Sequence, residues 1–193
     1  MMLKSNKTAE LHYLCPGLYQ KKGKLVFLGL DNAGKTSLLN RLKFGTMATP
    51  HPTGQPHCEE LQIADMTFRT HDLGGHKQAR RVWREYLPAV DAVVFLLDVS
   101  DPGRFREAHK ELQGLLKDEL TSGVPLLILG NKIDDPRAAG EFQLRTAFGL
   151  HGLTTGKETA SLPEGRRAVE LFMCSVKEKQ GYGEAFRWLA QHF

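Results

Sequence analysis

The residues Gly29-Leu30-Asp31-Asn32-Ala33-Gly34-Lys35-Thr36 match the spacing G-x-x-x-x-G-K-[ST]. Glycines at the two ends allow a loop whose N–H groups converge on phosphate oxygens, and the helix that follows adds its positive dipole end. Asp31, Asn32, Ala33, Gly34, Lys35, Thr36 and Ser37 are therefore candidate nucleotide contacts. Lys35 is placed to reach the outer phosphates, and the Thr36 hydroxyl to ligate Mg2+. The competing reading is a glycine turn that happens to contain a lysine. A strand pattern before the loop and a helix pattern after it argue against that reading. The motif points to a nucleoside phosphate without naming the base.

Asn131-Lys132-Ile133-Asp134 follows a later apolar run and supplies the base preference. A carboxylate at Asp134 can accept from guanine N1–H and from the exocyclic amine. Adenine has no donor at N1 and would leave the carboxylate unpaired. The Lys132 stem can lie along the purine face while Asn131 ties loops together. Near the end of the chain, Cys174-Ser175-Val176-Lys177 offers backbone N–H groups to the guanine carbonyl through Ser175, Val176 and Lys177.

Asp72-Leu73-Gly74-Gly75-His76 closes another apolar segment. Asp72 is placed to hold Mg2+ through water, and Gly75 to give its N–H to a terminal phosphate. Loss of that phosphate would free the glycine turn to rearrange, which is the physics of a switch. His76, as neutral imidazole, can orient the attacking water, so His76 and Lys35 are the catalytic candidates. Thr53, in the Pro-punctuated stretch 50–58, is the candidate second Mg2+ hydroxyl. His51, His57 and Cys58 would allow zinc, but no C-x-x-C pair supports it.

Positioning these residues requires strands that end where the motifs begin. Apolar runs at Leu25–Leu28, Glu59–Ile63, Thr67–Asp72, Ala92–Val99, Val124–Leu129 and Ala168–Cys174 alternate with helical patterns. The helices are expected at Lys35–Lys43, Gln78–Leu87, Arg104–Leu120, Glu141–Phe148 and Gly183–His192. The second and third strands alternate in polarity around Ala64-Asp65, a hairpin turn. This is an α/β pattern, a mostly parallel six-stranded sheet covered by helices on both faces. Ligands of such sheets bind at the carboxyl ends of strands. The stretch 149–165, rich in glycine and threonine, reads as a surface loop.

Composition agrees with one folded domain. The 193 residues are 41% hydrophobic and 25% charged, which excludes collagen, coiled coil and wholesale disorder. The formal net charge of +4 lies in the first 24 residues, with five lysines against one acid, and the remainder is balanced. Nucleic-acid binders spread basic groups over a binding face, so no nucleic-acid partner is expected. Three scattered cysteines form no disulfide framework. The longest apolar run, Ala92–Leu97, is far too short to span a bilayer. The organisation is thus a basic arm over residues 1–17 and a nucleotide-binding domain over residues 18–193.

Together these motifs resemble small GTPases of the Ras superfamily, a P-loop NTPase fold. Asp72-Leu73-Gly74-Gly75 and Asn131-Lys132-Ile133-Asp134 are similar to the Arf branch. His76 followed by Gln78-Ala79-Arg80-Arg81-Val82-Trp83 resembles the Sar family, as do Glu59-Glu60-Leu61 and the ending from Phe172 through Trp188. The resemblance implies a Mg2+-dependent GTPase that cycles between GTP and GDP and initiates COPII coat assembly for transport from endoplasmic reticulum to Golgi. It further implies a membrane-bound exchange factor and inner coat subunits that supply a catalytic arginine. It places the protein on the cytosolic face of the endoplasmic reticulum and its vesicles, with the N-terminal arm on the membrane surface.

The chain departs from the family in the segment Gly54–Cys58 and in an arm that carries only a thin apolar stripe interrupted by Pro16. Met2 and the Trp188–Phe193 ending predict neither a myristoyl nor a prenyl anchor. Two alternatives stand beside the coat reading. One is an Arf-like GTPase of other trafficking, and the other a GTP-loaded recruitment module with little hydrolysis.

Overall fold

The computed structural model describes residues 22–45, 57–63, 66–158 and 162–192. The basic arm, Thr53, the turn at Ala64-Asp65 and the departures at 54–56 lie outside the described residues. Six strands form one sheet: β1 (Lys22–Leu28), β2 (His57–Ile63), β3 (Met66–Asp72), β4 (Ala92–Asp98), β5 (Leu126–Asn131) and β6 (Val169–Cys174). Their order across the sheet is β2-β3-β1-β4-β5-β6. Only β2 against β3 is antiparallel; all other pairs are parallel. From β1 the sheet grows outward in both directions, and the crevice at such a switch point is where α/β sheets bind ligands.

The central strands are continuous apolar runs because both of their faces are covered. In β4 every side chain from Ala92 to Leu97 is buried. Alternate residues feed two separate cores. Leu25 and Phe27 of β1 face a cluster with Leu38 of α1 (Lys35–Phe44) and Phe186, Trp188 and Leu189 of α5 (Tyr182–Ala190). Val26 and Leu28 face the other cluster, with Leu112 of α3 (Phe105–Lys117) and Leu144 of α4 (Glu141–Ala147). Each fully buried Leu, Val or Phe stabilises the fold by about 1.5–3 kcal/mol relative to exposure. The α3 stripe Ala108, Leu112, Leu115 has the i, i+4, i+7 spacing of one helical face.

Where a helix was expected over Gln78–Leu87, the chain instead forms a short α2 (Trp83–Tyr86) between tight turns at Ala79–Val82 and Leu87–Ala89. Pro88 lacks the N–H that a continued helix requires, and Trp83 must turn inward onto Phe95, with ring centroids 6.3 Å apart and planes at 86°.

The stretch after α4 is more than a surface loop. Leu150 is fully buried. Glu170 of β6, also buried, accepts from Arg145 at 2.7 Å and from the Gly156 N–H at 2.7 Å. Trp188 Nε1 donates to the Gly156 carbonyl at 3.0 Å, which closes the anchor. Replacing Glu170 by Gln puts an amide N–H where only donors surround it. We expect Glu170→Gln to cost about 2–3 kcal/mol, lowering the melting temperature by roughly 5–10 °C. Thermal denaturation checks this, and an unchanged melting point refutes the anchoring role.

Candidate functional site

The phosphate-loop candidate occupies the turn from β1 into α1, as its glycines require. Gly34 caps α1 in the left-handed region, φ 98°. A Cβ there would lie 2.3 Å from Asn131 Nδ2, so both conformation and space call for glycine. Asn32 also adopts a left-handed φ of 64°. Lys35 is buried, and its amine donates to the carbonyls of Gly29 at 2.8 Å and Leu30 at 2.9 Å. Burial pushes its pKa down to about 8, against the opposing pull of Asp72 and Asp31. Thr36 lies one residue on, and its hydroxyl donates to Asp72 Oδ2 at 2.6 Å. Ser37 continues the first turn of α1.

Asp72 reaches this site because it ends β3, whose neighbour β1 ends beside it: Phe27 pairs with Asp72. The segment that follows turns back across the phosphate loop. Leu73, Gly74 and Gly75 are all buried, and Trp83 Nε1 fixes the Gly74 carbonyl at 3.0 Å. A Cβ on Gly75 would lie 2.1 Å from the Asp31 nitrogen and 2.6 Å from the Gly29 oxygen. Gly75 therefore rests directly on loop backbone. His76 follows at the half-buried start of the tight turn, and its carbonyl accepts from Arg80 N.

Asn131 is buried and joins three loops. Its Nδ2 donates to the Ala33 carbonyl at 2.9 Å, and its Oδ1 accepts from the Val176 N–H at 3.1 Å. Lys132 sits in the left-handed region, φ 75°, with its amine 2.6 Å from Asp98 Oδ2. Asp134 accepts from the Ser175 hydroxyl at 2.6 Å and lies 3.5 Å from the Lys177 amine. The Ser175 hydrogen bond holds the Asp134 carboxyl below the usual carboxylate range. Arg41 of α1 donates to the carbonyls of Val176 and Lys177, completing the clasp.

Two of the expected base contacts are occupied otherwise. The Ser175 N–H donates to the Gln180 carbonyl and the Val176 N–H to Asn131, because this loop folds back as a tight bridge. The sequence reading also missed Asp98, Arg41 and Arg104. Arg104 donates to the Asp31 carbonyl and carboxylate from the turn after β4. The signal available was position: Asp98 and Arg104 flank the carboxyl end of a central strand, where ligands of such sheets lie.

The donor set suits magnesium. A threonine hydroxyl and a carboxylate, both hard oxygen groups, meet at the edge of a phosphate-type loop. Mg2+ is usually held by one or two protein oxygens with substrate phosphate and water. Among the described residues no group of three His, Cys, Asp or Glu gathers around a point, so ligand sets built on such clusters are not formed there.

The model of the ADP-ribosylation factor family matches residues 12–193. The chain belongs to this family. Members of the Arf family are small GTPases that bind GTP and GDP. Among curated relatives, the small COPII coat GTPase SAR1 of Giardia intestinalis is 43% identical, over 91% of this chain and 92% of that one. SAR1 of Nicotiana tabacum is 44% identical over the same shares. ADP-ribosylation factor-like protein 8b of Arabidopsis thaliana is 33% identical, covering 95% of each. Among solved structures, the Arl6 BBS3 small GTPase of Trypanosoma brucei, with bound nucleotide analogue GppNp, superposes with a TM-score of 0.74 at 30% identity. That match covers 88% of this chain and 95% of the other. The six-stranded α/β architecture is thus that of the small GTPases.

Proposed function

We propose that this Arf-family protein hydrolyses GTP in a Mg2+-dependent reaction and uses the GTP state to recruit COPII coat subunits at the endoplasmic reticulum. The observation that carries the chemistry is the convergence of Lys35, Thr36, Asp72 and Gly75 around one loop. The SAR1 relatives, 43% and 44% identical over nearly the whole chain, support the coat role.

In this reading the N–H groups of residues 31–37 cradle the phosphates, and the Lys35 ammonium moves from loop carbonyls to phosphate oxygens. Phosphate charge would raise the Lys35 pKa again, opposing the burial that lowers it. Thr36, Thr53 and Asp72 would hold Mg2+, which supplies neutralisation of the developing phosphate charge. The Gly75 N–H donates to the terminal phosphate, and His76 orients the water for in-line attack. An arginine from an inner coat subunit would add roughly 10³–10⁵ in rate. Asp134 selects guanine, Lys132 lines the purine, and the Lys177 N–H reaches the guanine oxygen. A membrane-bound exchange factor loads the nucleotide. The arm over residues 1–17 lies on the membrane surface, placing the protein peripherally on the cytosolic face of the endoplasmic reticulum and its vesicles.

Single-turnover hydrolysis of preloaded GTP, with and without inner coat subunits, tests the proposal. We expect stimulation of 10³-fold or more, in keeping with an arginine supplied in trans. Turnover that the coat leaves unchanged removes the coat assignment and favours an Arf-like GTPase of other trafficking. Loading without measurable turnover under either condition leaves a recruitment module instead.

A further inference from the structure

We propose that Arg104 is a positioning residue for the phosphate loop and that Glu107 holds it in place. This rests on the reading that the loop holds a nucleotide diphosphate. Arg104 stands in the tight turn Pro102–Arg104 between β4 and α3. One terminal nitrogen of its guanidinium donates to the Asp31 carbonyl at 2.9 Å, and the other donates to Asp31 Oδ1 at 2.8 Å. The same side chain grips Glu107 Oε2 through Nε at 3.3 Å and through its second terminal nitrogen at 3.2 Å. A planar fork can serve two acceptor groups at once, which a lysine ammonium on one stem cannot do with the same geometry.

The bond to the Asp31 carbonyl is the decisive one. The Asp31 C=O and the Asn32 N–H belong to one planar trans peptide and point in opposite directions. Drawing the carbonyl outward to Arg104 aims the Asn32 N–H toward the interior of the loop. Asn32 itself has φ 64°, a left-handed conformation uncommon outside glycine, which asparagine enters more readily than other residues. A peptide in a sparsely populated conformation keeps its orientation when the surroundings over-determine it. The Arg104 fork supplies that constraint from outside the loop. The pairing also keeps the Asp31 carboxyl ionised, its pKa lowered first by the Arg104 hydrogen bond.

Glu107 extends the device beyond the loop. Its other oxygen, Oε1, accepts from Arg80, and Arg80 in turn donates to Glu111 Oε1 at 2.6 Å. The Arg80 side chain is only 8% exposed, while Glu107 is 42% exposed, so the arginine end of this link is buried and the carboxylate end meets solvent. Arg80 belongs to the turn behind Gly75, the residue that rests on the Asp31 nitrogen. The phosphate loop and the segment behind β3 are thus tied through one carboxylate on α3.

The test is the dissociation rate of fluorescently labelled GDP from the full chain with Mg2+ present. We expect Arg104→Ala to speed release roughly tenfold, the effect of losing one charge-assisted hydrogen bond. Arg104→Lys should fall between wild type and Arg104→Ala. Glu107→Gln, which keeps its shape, should speed release by about threefold. Lys157→Ala, a remote ion-pair control, should release at the wild-type rate. A lower melting temperature of Arg104→Ala with release within twofold of wild type overturns the inference in favour of a merely structural arginine. Wild-type release by Arg104→Lys overturns it too, since charge alone would then suffice. Wild-type protein that retains no labelled GDP overturns the functional reading itself.

Discussion

Gly75→Ala is expected to reduce GTP hydrolysis by roughly 10²–10³-fold, the usual effect of losing one preorganised backbone donor at a developing charge. The added methyl would lie 2.1 Å from the Asp31 nitrogen, 2.2 Å from the Leu30 carbonyl carbon and 2.6 Å from the Gly29 oxygen. All three are backbone atoms, so no rotamer change relieves the clash. Either the segment behind β3 lifts away or the loop distorts. The segment is the more yielding partner, since among the described residues it is held by the buried Leu73, the Trp83–Gly74 bond and the Arg80 link. The loop is pinned by Lys35, Asn131 and Arg104. GDP affinity should therefore change less than about tenfold while single-turnover hydrolysis collapses. Wild-type hydrolysis by Gly75→Ala would refute the assignment of its N–H to the terminal phosphate.

Asn131→Ala should weaken GDP and GTP alike by roughly 10²–10³-fold. Two buried groups, the Ala33 carbonyl and the Val176 N–H, lose their partner, at about 1–3 kcal/mol each. Every 1.4 kcal/mol is about tenfold in affinity. The loss is indirect, because Asn131 holds the candidate phosphate loop against the loop behind β6, while the proposed base contact belongs to Asp134. Discrimination between guanine and adenine should thus survive in the variant, although affinity falls. Equilibrium titration with both nucleotides checks this. Affinity within threefold of wild type would show that the loops are held without the carboxamide.

The motifs themselves were legible because phosphate binding constrains consecutive residues. Gly29 to Thr36 must form a loop at a helix start, and local spacing carries that requirement completely. The strands were legible for a related reason. Buried on both faces, β4 and β5 admit no polar residue until their carboxyl ends, where Asp98 and Asn131 appear. The helical pattern after Gln78 breaks into short turns around α2, since periodicity cannot register that Trp83 turns inward toward the Gly74 carbonyl. The loop after α4 looked solvated by composition, yet buried Glu170 gathers it from 14 residues away.

By itself, the amino-acid sequence marked a candidate phosphate loop and a candidate base-contacting carboxylate, and it determined that a mostly parallel sheet carries both. Each of these depends on neighbours within a few positions, or on burial patterns with a short period. Only the tertiary structure decided how the loops are held relative to one another. Asn131 meets Ala33 across 98 residues of chain, and Arg104 meets Asp31 across 73. The sequence marks Asn131 as a tie between loops, and strand-end position marks Arg104, but neither names its partner, because a hydrogen bond needs atoms within about 3 Å and contact at that range is created only when the chain folds.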